Sequence, residues 1–209
     1  WPRLEGEVPL LNGRISTGAV NLDLLRPHFG KRDDALLTGL WGALAPSLAV
    51  SMAVEATRFT IGEETGSDLS ADFEQNESAL TVQRLNLNLP FSSSLLASGR
   101  FDLTGKMPSF DGNFSARSSD TLALLLWLGS RNGVDFSPFA ETVTEAQIQR
   151  ASLVGDVALA DGGLALRGLA GRIGGDYFSA EVMLPDLEAY QADIVFNISR
   201  LDLADWGGV

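Results

Sequence analysis

The stretch from Ser78 to Leu89, S-A-L-T-V-Q-R-L-N-L-N-L, limits what this chain can fold into more than any other. Leu80 and Val82 alternate with polar residues, and so do Leu85, Leu87 and Leu89, the period of a strand with one apolar face. The phase slips by one residue at Gln83-Arg84. An inserted residue in a regular strand is a β-bulge, which bends and twists the strand while its apolar side chains stay on one side. The device returns from Gly162 to Ile173, where Leu164 and Leu166 precede a slip at Arg167-Gly168, followed by Leu169 and Ile173. Leu80 to Leu164, Val82 to Leu166, Leu85 to Leu169 and Leu89 to Ile173 are all separated by 84 positions. Two copies of one bent amphipathic strand predict a repeat.

The totals narrow the classes of function. Fifteen Lys and Arg against 27 Asp and Glu give a net charge of −12, which repels polyanions and argues against a nucleic-acid partner. It argues equally against a polybasic membrane-surface binder and against strong binding of anionic headgroups. With no cysteine there is no disulfide, thiolate nucleophile or zinc-thiolate site. A hydrophobic content of 45% is that of a folded chain. The most apolar run, Leu122 to Leu128, is far short of the ~20 residues of a membrane span and reads as a buried helix face. Position 1 is Trp1 in mid-strand material, which predicts a piece of a longer protein.

Along the chain, Trp1 to Asn21 reads as two short strands split by a hairpin turn at Asn12-Gly13. Leu22 to Phe29 reads as a helical turn, and Lys31 to Ser47 as a helix capped by Asp33 or Asp34. Strands follow at Leu48 to Ala56, Thr57 to Ile61, Asp68 to Glu74, the organising stretch, Leu95 to Leu103 and Phe110 to Ala116, with a turn over Gly62 to Gly66. Ser119 or Asp120 caps a helix from Thr121 to Ser130, and Asn132 to Gln147 is a loop or short helix. Strands resume at Ala151 to Ala160, Leu164 to Ile173, Tyr177 to Leu184 and Ala192 to Ser199, before a second helix start at Asp202 to Trp206. Leu69, Ala71 and Phe73 map by 84 onto Leu153, Gly155 and Val157. The predicted organisation is one continuous structure: residues 1–30 end a preceding unit, 31–130 hold a helix and a full unit, 131–149 link, and 150–209 form a second unit.

The expected fold class is mainly β: a bent, repeating antiparallel sheet forming an apolar groove, with short helices at unit boundaries. A closed β-sandwich is the alternative, because an apolar face must be covered by something. The runs L-A-V-S-M-A-V-E-A-T-R-F-T-I-G, S-D-L-S-A-D-F, A-L-T-V-Q-R-L-N-L-N-L, A-S-G-R-F-D-L and F-S-A-R-S-S-D-T-L-A-L-L-L resemble the AsmA family. So does V-G-D-V-A-L-A-D-G-G-L-A-L-R-G-L-A-G-R-I-G-G-D-Y-F-S-A-E-V, and the resemblance covers roughly Leu48 to Trp206. It is carried by idiom and order, with no catalytic signature. It implies a taco-like β-groove of the repeating lipid-transfer type, in a bacterial envelope protein. It also implies a periplasmic bridge, anchored in the inner membrane by a segment outside this chain, that carries phospholipid toward the outer membrane. The implied partners are phospholipid acyl chains, with no cofactor, no metal and no catalytic residue. Exposing the roughly thirty methylenes of two acyl chains to water costs on the order of 20 kcal/mol, so an apolar path would speed transfer.

The residues expected to line the groove are Phe73, Leu80, Val82, Leu85, Leu87, Leu89, Phe101, Leu103, Leu164, Leu166, Leu169, Ile173, Phe178, Val182, Ile194 and Phe196, with Phe114, Val157 and Ile198 on the same strand faces. The blander role for all of them is ordinary core, which would leave a structural or assembly scaffold. Leu36, Leu40, Trp41, Leu124 and Trp127 are expected to plug or flank the groove. Gly168, Gly171, Gly174 and Gly175 do not make a phosphate loop, because a strand pattern follows where that motif needs a helix. His28 lies in a turn without a motif, and the carboxylates of Asp111-Gly112 and Asp161-Gly162 are turn residues. An enzyme is the least favoured class.

Overall fold

The computed structural model describes residues 10–24, 49–76, 78–104, 109–132, 135–142, 148–160, 162–185 and 193–198. The strands are β1 (Leu10–Asn21), β2 (Ala49–Ile61), β3 (Glu64–Gln75), β4 (Ala79–Leu89), β5 (Ser93–Asp102), β6 (Ser109–Ser118), β7 (Ala151–Ala160), β8 (Gly163–Ile173), β9 (Asp176–Leu184) and β10 (Asp193–Ile198). They form one sheet in chain order, and β1 and β10 do not pair with each other, so the sheet is open and not a closed sandwich. Helices α1 (Thr121–Asn132) and α2 (Ser137–Thr142) lie between β6 and β7. A 3-10 turn at Leu22–Leu24 follows β1.

Several expectations need correction, among them the turn at Asp111-Gly112, which lies inside β6. The sheet is mixed: β1 runs parallel to β2, while every later pair is antiparallel. Nor is there a hairpin at Asn12-Gly13, because β1 passes straight through it. That turn needs φ above zero at both central residues, and neither has it. Pairing of Asn12 with Ser51 and Gly13 with Met52 holds the segment extended. The two strands expected from Leu48 to Ile61 are one, and the Gly62 turn closes at Glu63, leaving Gly66 inside β3. The expected helices at Lys31 to Ser47 and Asp202 to Trp206 lie outside the described residues, as do His28, Leu36, Leu40 and Trp41.

Both expected bulges are present. Between Val82 and Leu85 the β4–β5 register gains a residue, with Gly99 and Ala97 opposite. Between Leu166 and Leu169 the β8–β9 register does the same, opposite Val182 and Ala180, with Gly168 at a φ of 56°. A third irregularity sits at Thr57 and Asp68, where Asp68 has a φ of 55° and the β3–β4 register shifts between Ser67 and Ser70. It moves Phe59 onto the face that carries Val50 and Ala56.

Asp120 caps α1, its Oδ1 accepting the amide of Ala123 at 3.2 Å. Twelve residues make a helix about 18 Å long, close to the ~19 Å of four strand spacings. α1 accordingly reaches from the end of β6 to the β2–β3 turn. On the way Trp127 meets Phe91 of the β4–β5 turn at 6.0 Å. At its far end Arg131 pairs with Asp23 at 2.6 Å, and Asp23 also accepts the amide of Gly62. The expected buried face of α1 is only half-buried, and Leu128 is exposed.

Asp102 ends β5 by accepting the hydroxyl of Thr104 at 2.6 Å and its amide at 2.8 Å. The hydroxyl bond first, then the amide bond, holds this exposed carboxyl below its ordinary range. A depressed carboxylate adds stability above about pH 4 that is lost as pH falls through the folded-state value. Thr104→Val should move the Asp102 midpoint upward in an NMR titration, and an unmoved midpoint would show that the hydroxyl bond does not form in solution.

Candidate functional site

Side chains alternate between the two faces of a strand, so the register assigns each residue to a face. One row runs across the whole sheet through directly paired neighbours: Gly13, Met52, Phe73, Val82, Gly99, Gly112, Val157, Leu166, Val182 and Ile194. No member is polar. A second row runs Ile15, Val54, Ala71, Leu85, Ala97, Phe114 and Gly155, and resumes at Leu169, Ala180 and Phe196. Ten strands at ~4.8 Å give an apolar face about 43 Å across.

Of the expected lining residues, the strand register places all but Leu103, which lies beyond the end of β5, on this face. Leu87 and Leu169 are buried. Phe73, Leu80, Val82, Leu85, Leu89, Phe101, Leu164, Leu166, Ile173, Phe178 and Val182 are half-buried, as are Phe114 and Val157. At the β10 edge Ile194, Phe196 and Ile198 are exposed, with Ile194 at 63%. Leu103 lies one residue past β5, exposed, with its amide donating to the Ser78 carbonyl at 2.8 Å.

Sequence reasoning missed the contributions of β1 and β2: Leu11, Ile15, Val20, Val50, Met52, Val54 and Phe59. Period-two alternation was there to be read in both, but the turn signal at Asn12-Gly13 masked it in β1 and the Thr57 irregularity masked it in β2. It also missed the role of glycine. A β-carbon at Gly66 would overlap the Phe59 ring, one at Gly112 or Gly99 the Phe110 ring, and one at Gly171 the Phe178 ring. Large side chains thus lie down across the backbone of neighbouring strands. Ring pairs Phe101–Phe110 at 4.5 Å and Phe178–Phe196 at 5.4 Å extend this layer. Polar side chains on the apolar face include Ser93 and Ser118, which satisfy each other at 2.8 Å, Asp176 opposite Ile173, and Gln75, whose buried Oε1 meets no hydrogen-bond donor among the described residues.

The opposite face carries most of the charged and amide side chains, interspersed with the exposed apolar Leu96, Val154, Met183 and Val195. Arg84 pairs with Asp72 at 2.7 Å, Asn88 donates to Asp68 at 2.9 Å, and Ser16 donates to Glu55 at 3.3 Å. A shallow hollow of about 610 Å³ between the two bulges is lined by Arg84, Ser98, Asn113 and Asp156 together with the apolar Leu96 and Val154. The Arg84–Asp72 pair is solvent-screened, with side chains 69% and 36% exposed. Asp72→Asn should therefore cost under about 1 kcal/mol in urea unfolding, and less still in high salt. A larger cost would mean that this face is covered in solution.

Among the described residues no group of three or more His, Cys, Asp or Glu is placed to hold a metal ion, and no helix is long and apolar enough to cross a membrane. No protein-family model, curated protein or solved structure matches this chain.

Proposed function

We propose that the apolar face forms a taco-like groove that holds lipid acyl chains, and that the protein moves phospholipid between the inner and outer membranes of a bacterial envelope. In this reading the chain lies in the periplasm and is tethered to the inner membrane by a segment outside it. One observation carries the proposal: an unbroken apolar row crosses all ten strands of an open sheet, most of whose charged side chains stand on the other face. Such a row suits an occupant that slides, because every step along it offers the same apolar surface. Native mass spectrometry of the gently purified protein tests the reading. Co-purified phospholipid, released by delipidation and taken up again from vesicles, is the expected result; a protein that never carries lipid would refute it.

A second reading, a non-enzymatic envelope scaffold, is favoured by the rings that lie over glycines. Aromatic side chains folded down on Gly66, Gly112 and Gly171 cover part of the apolar face from within the sheet. Under this reading the face needs no guest, and the same experiment returns bare protein.

A further inference from the structure

Four arginines of the described residues face aspartates. Arg84 pairs with Asp72 and Arg131 with Asp23. Arg100 stands opposite Asp111, and Arg167 opposite Asp156. Arg14 and Arg58 stand apart opposite Ala53 and Ser67, whereas Arg117, Arg150 and Arg172 line a single hollow of about 310 Å³ at the sheet end nearest the β8–β9 turn. Ser118, Ser119 and Ser152 line it with them.

The register explains why they meet. Arg117 pairs with Ser152 and Ser152 with Arg172, so two arginines flank a serine in one row of the face that carries most of the charges. Their strands are two spacings, about 10 Å, apart, and long side chains from both can converge over the serine between them. Arg150 comes just before β7, where its carbonyl accepts the Gly174 amide at 2.9 Å. Arg172 is held in place: its Nε donates to the Gly174 carbonyl at 2.9 Å and its guanidinium lies 5.5 Å from the Tyr177 ring centre. Among the described residues no carboxylate pairs with any of the three. The acids nearest in sequence are otherwise placed: Asp120 accepts the Ala123 amide as helix cap, and Asp176 falls on the other face opposite Ile173.

Three guanidinium groups repel one another unless an anion joins them. Guanidinium forks match the oxygens of phosphate, and the hydroxyls of Ser119 and Ser152 add donors to the same hollow, Ser118 being engaged with Ser93. The net charge of −12 does not forbid this, because screening confines its reach to about 10 Å while the arginines act on contact. We propose that this hollow binds a phosphate group, carried by a soluble ligand or by a lipid headgroup. The headgroup source alone rests on the lipid reading above.

Calorimetric titration at constant salt tests the site with two probes, inorganic phosphate and the monomerically soluble dihexanoylphosphatidylglycerol. Wild-type protein should bind at least one, and the double variant Arg117→Gln/Arg172→Gln should bind it at least tenfold more weakly with an unchanged far-UV spectrum. Arg117→Lys/Arg172→Lys, which keeps the charge, should retain part of the affinity. Phosphate binding as tightly as the phospholipid identifies a soluble ligand; tighter, arginine-dependent phospholipid binding identifies a headgroup. Failure to bind either probe, or equal affinity in the Gln variant, would overturn the site. Neither result bears on the apolar face, whose co-purified lipid is read separately.

Discussion

Phe59→Ala should lower the free energy of unfolding by about 3–5 kcal/mol, seen as a shifted urea midpoint with an unchanged slope. Phe59 has no exposed surface. Its ring lies over Gly66, and it pairs with Val20 of β1. Truncation would leave a void above a residue that has no side chain to fill it, so the full transfer and cavity costs should appear together. The site also lies just past the Thr57–Asp68 irregularity, where pairing of β2 with β3 is interrupted at one position. A cost below about 1 kcal/mol would mean that the ring is not enclosed as described, since that is the scale of an ordinary surface change.

Leu166→Glu should reduce co-purified phospholipid at least tenfold while the far-UV β spectrum persists. Leu166 stands in the unbroken apolar row, between Val157 and Val182, and is half-buried. A carboxylate there must either shed its water against an acyl chain or exclude the chain. Desolvating an unpaired polar group costs roughly 2 kcal/mol or more, and each 1.4 kcal/mol is about tenfold in affinity. The substitution also separates the two readings of the face. Lipid content unchanged in Leu166→Glu would remove the groove from the mechanism. Unfolding of the variant would favour a self-packed scaffold, in which Leu166 is core.

Legibility in the sequence followed the range of the forces involved. The bulges at Gln83-Arg84 and Arg167-Gly168 could be read because a pleat has a period of two, and one extra residue shifts every later side chain. The third irregularity stayed hidden because Thr57 and Asp68 fall between short runs in which alternation is too brief to show a slip. A helix cap at Ser119 or Asp120 was readable because capping is a local bond, and Asp120 takes that role. Asn12-Gly13 misled for the opposite reason: its turn preference is local, but β2, far along the chain, pairs with it residue by residue. Turn propensity is overridden when a neighbouring strand satisfies the same backbone groups.

The amino-acid order by itself determined that this chain makes amphipathic strands with one apolar side and two matching bends 84 positions apart, because strand pleating is a property of consecutive residues. Only the tertiary structure decided that ten such strands lie side by side in one open mixed sheet. It alone also laid the rings of Phe59, Phe110 and Phe178 over glycines and brought Arg117, Arg150 and Arg172 to one hollow. Those juxtapositions depend on which strands become neighbours and in what register, and hydrogen bonds between strands set that, whatever the spacing along the chain.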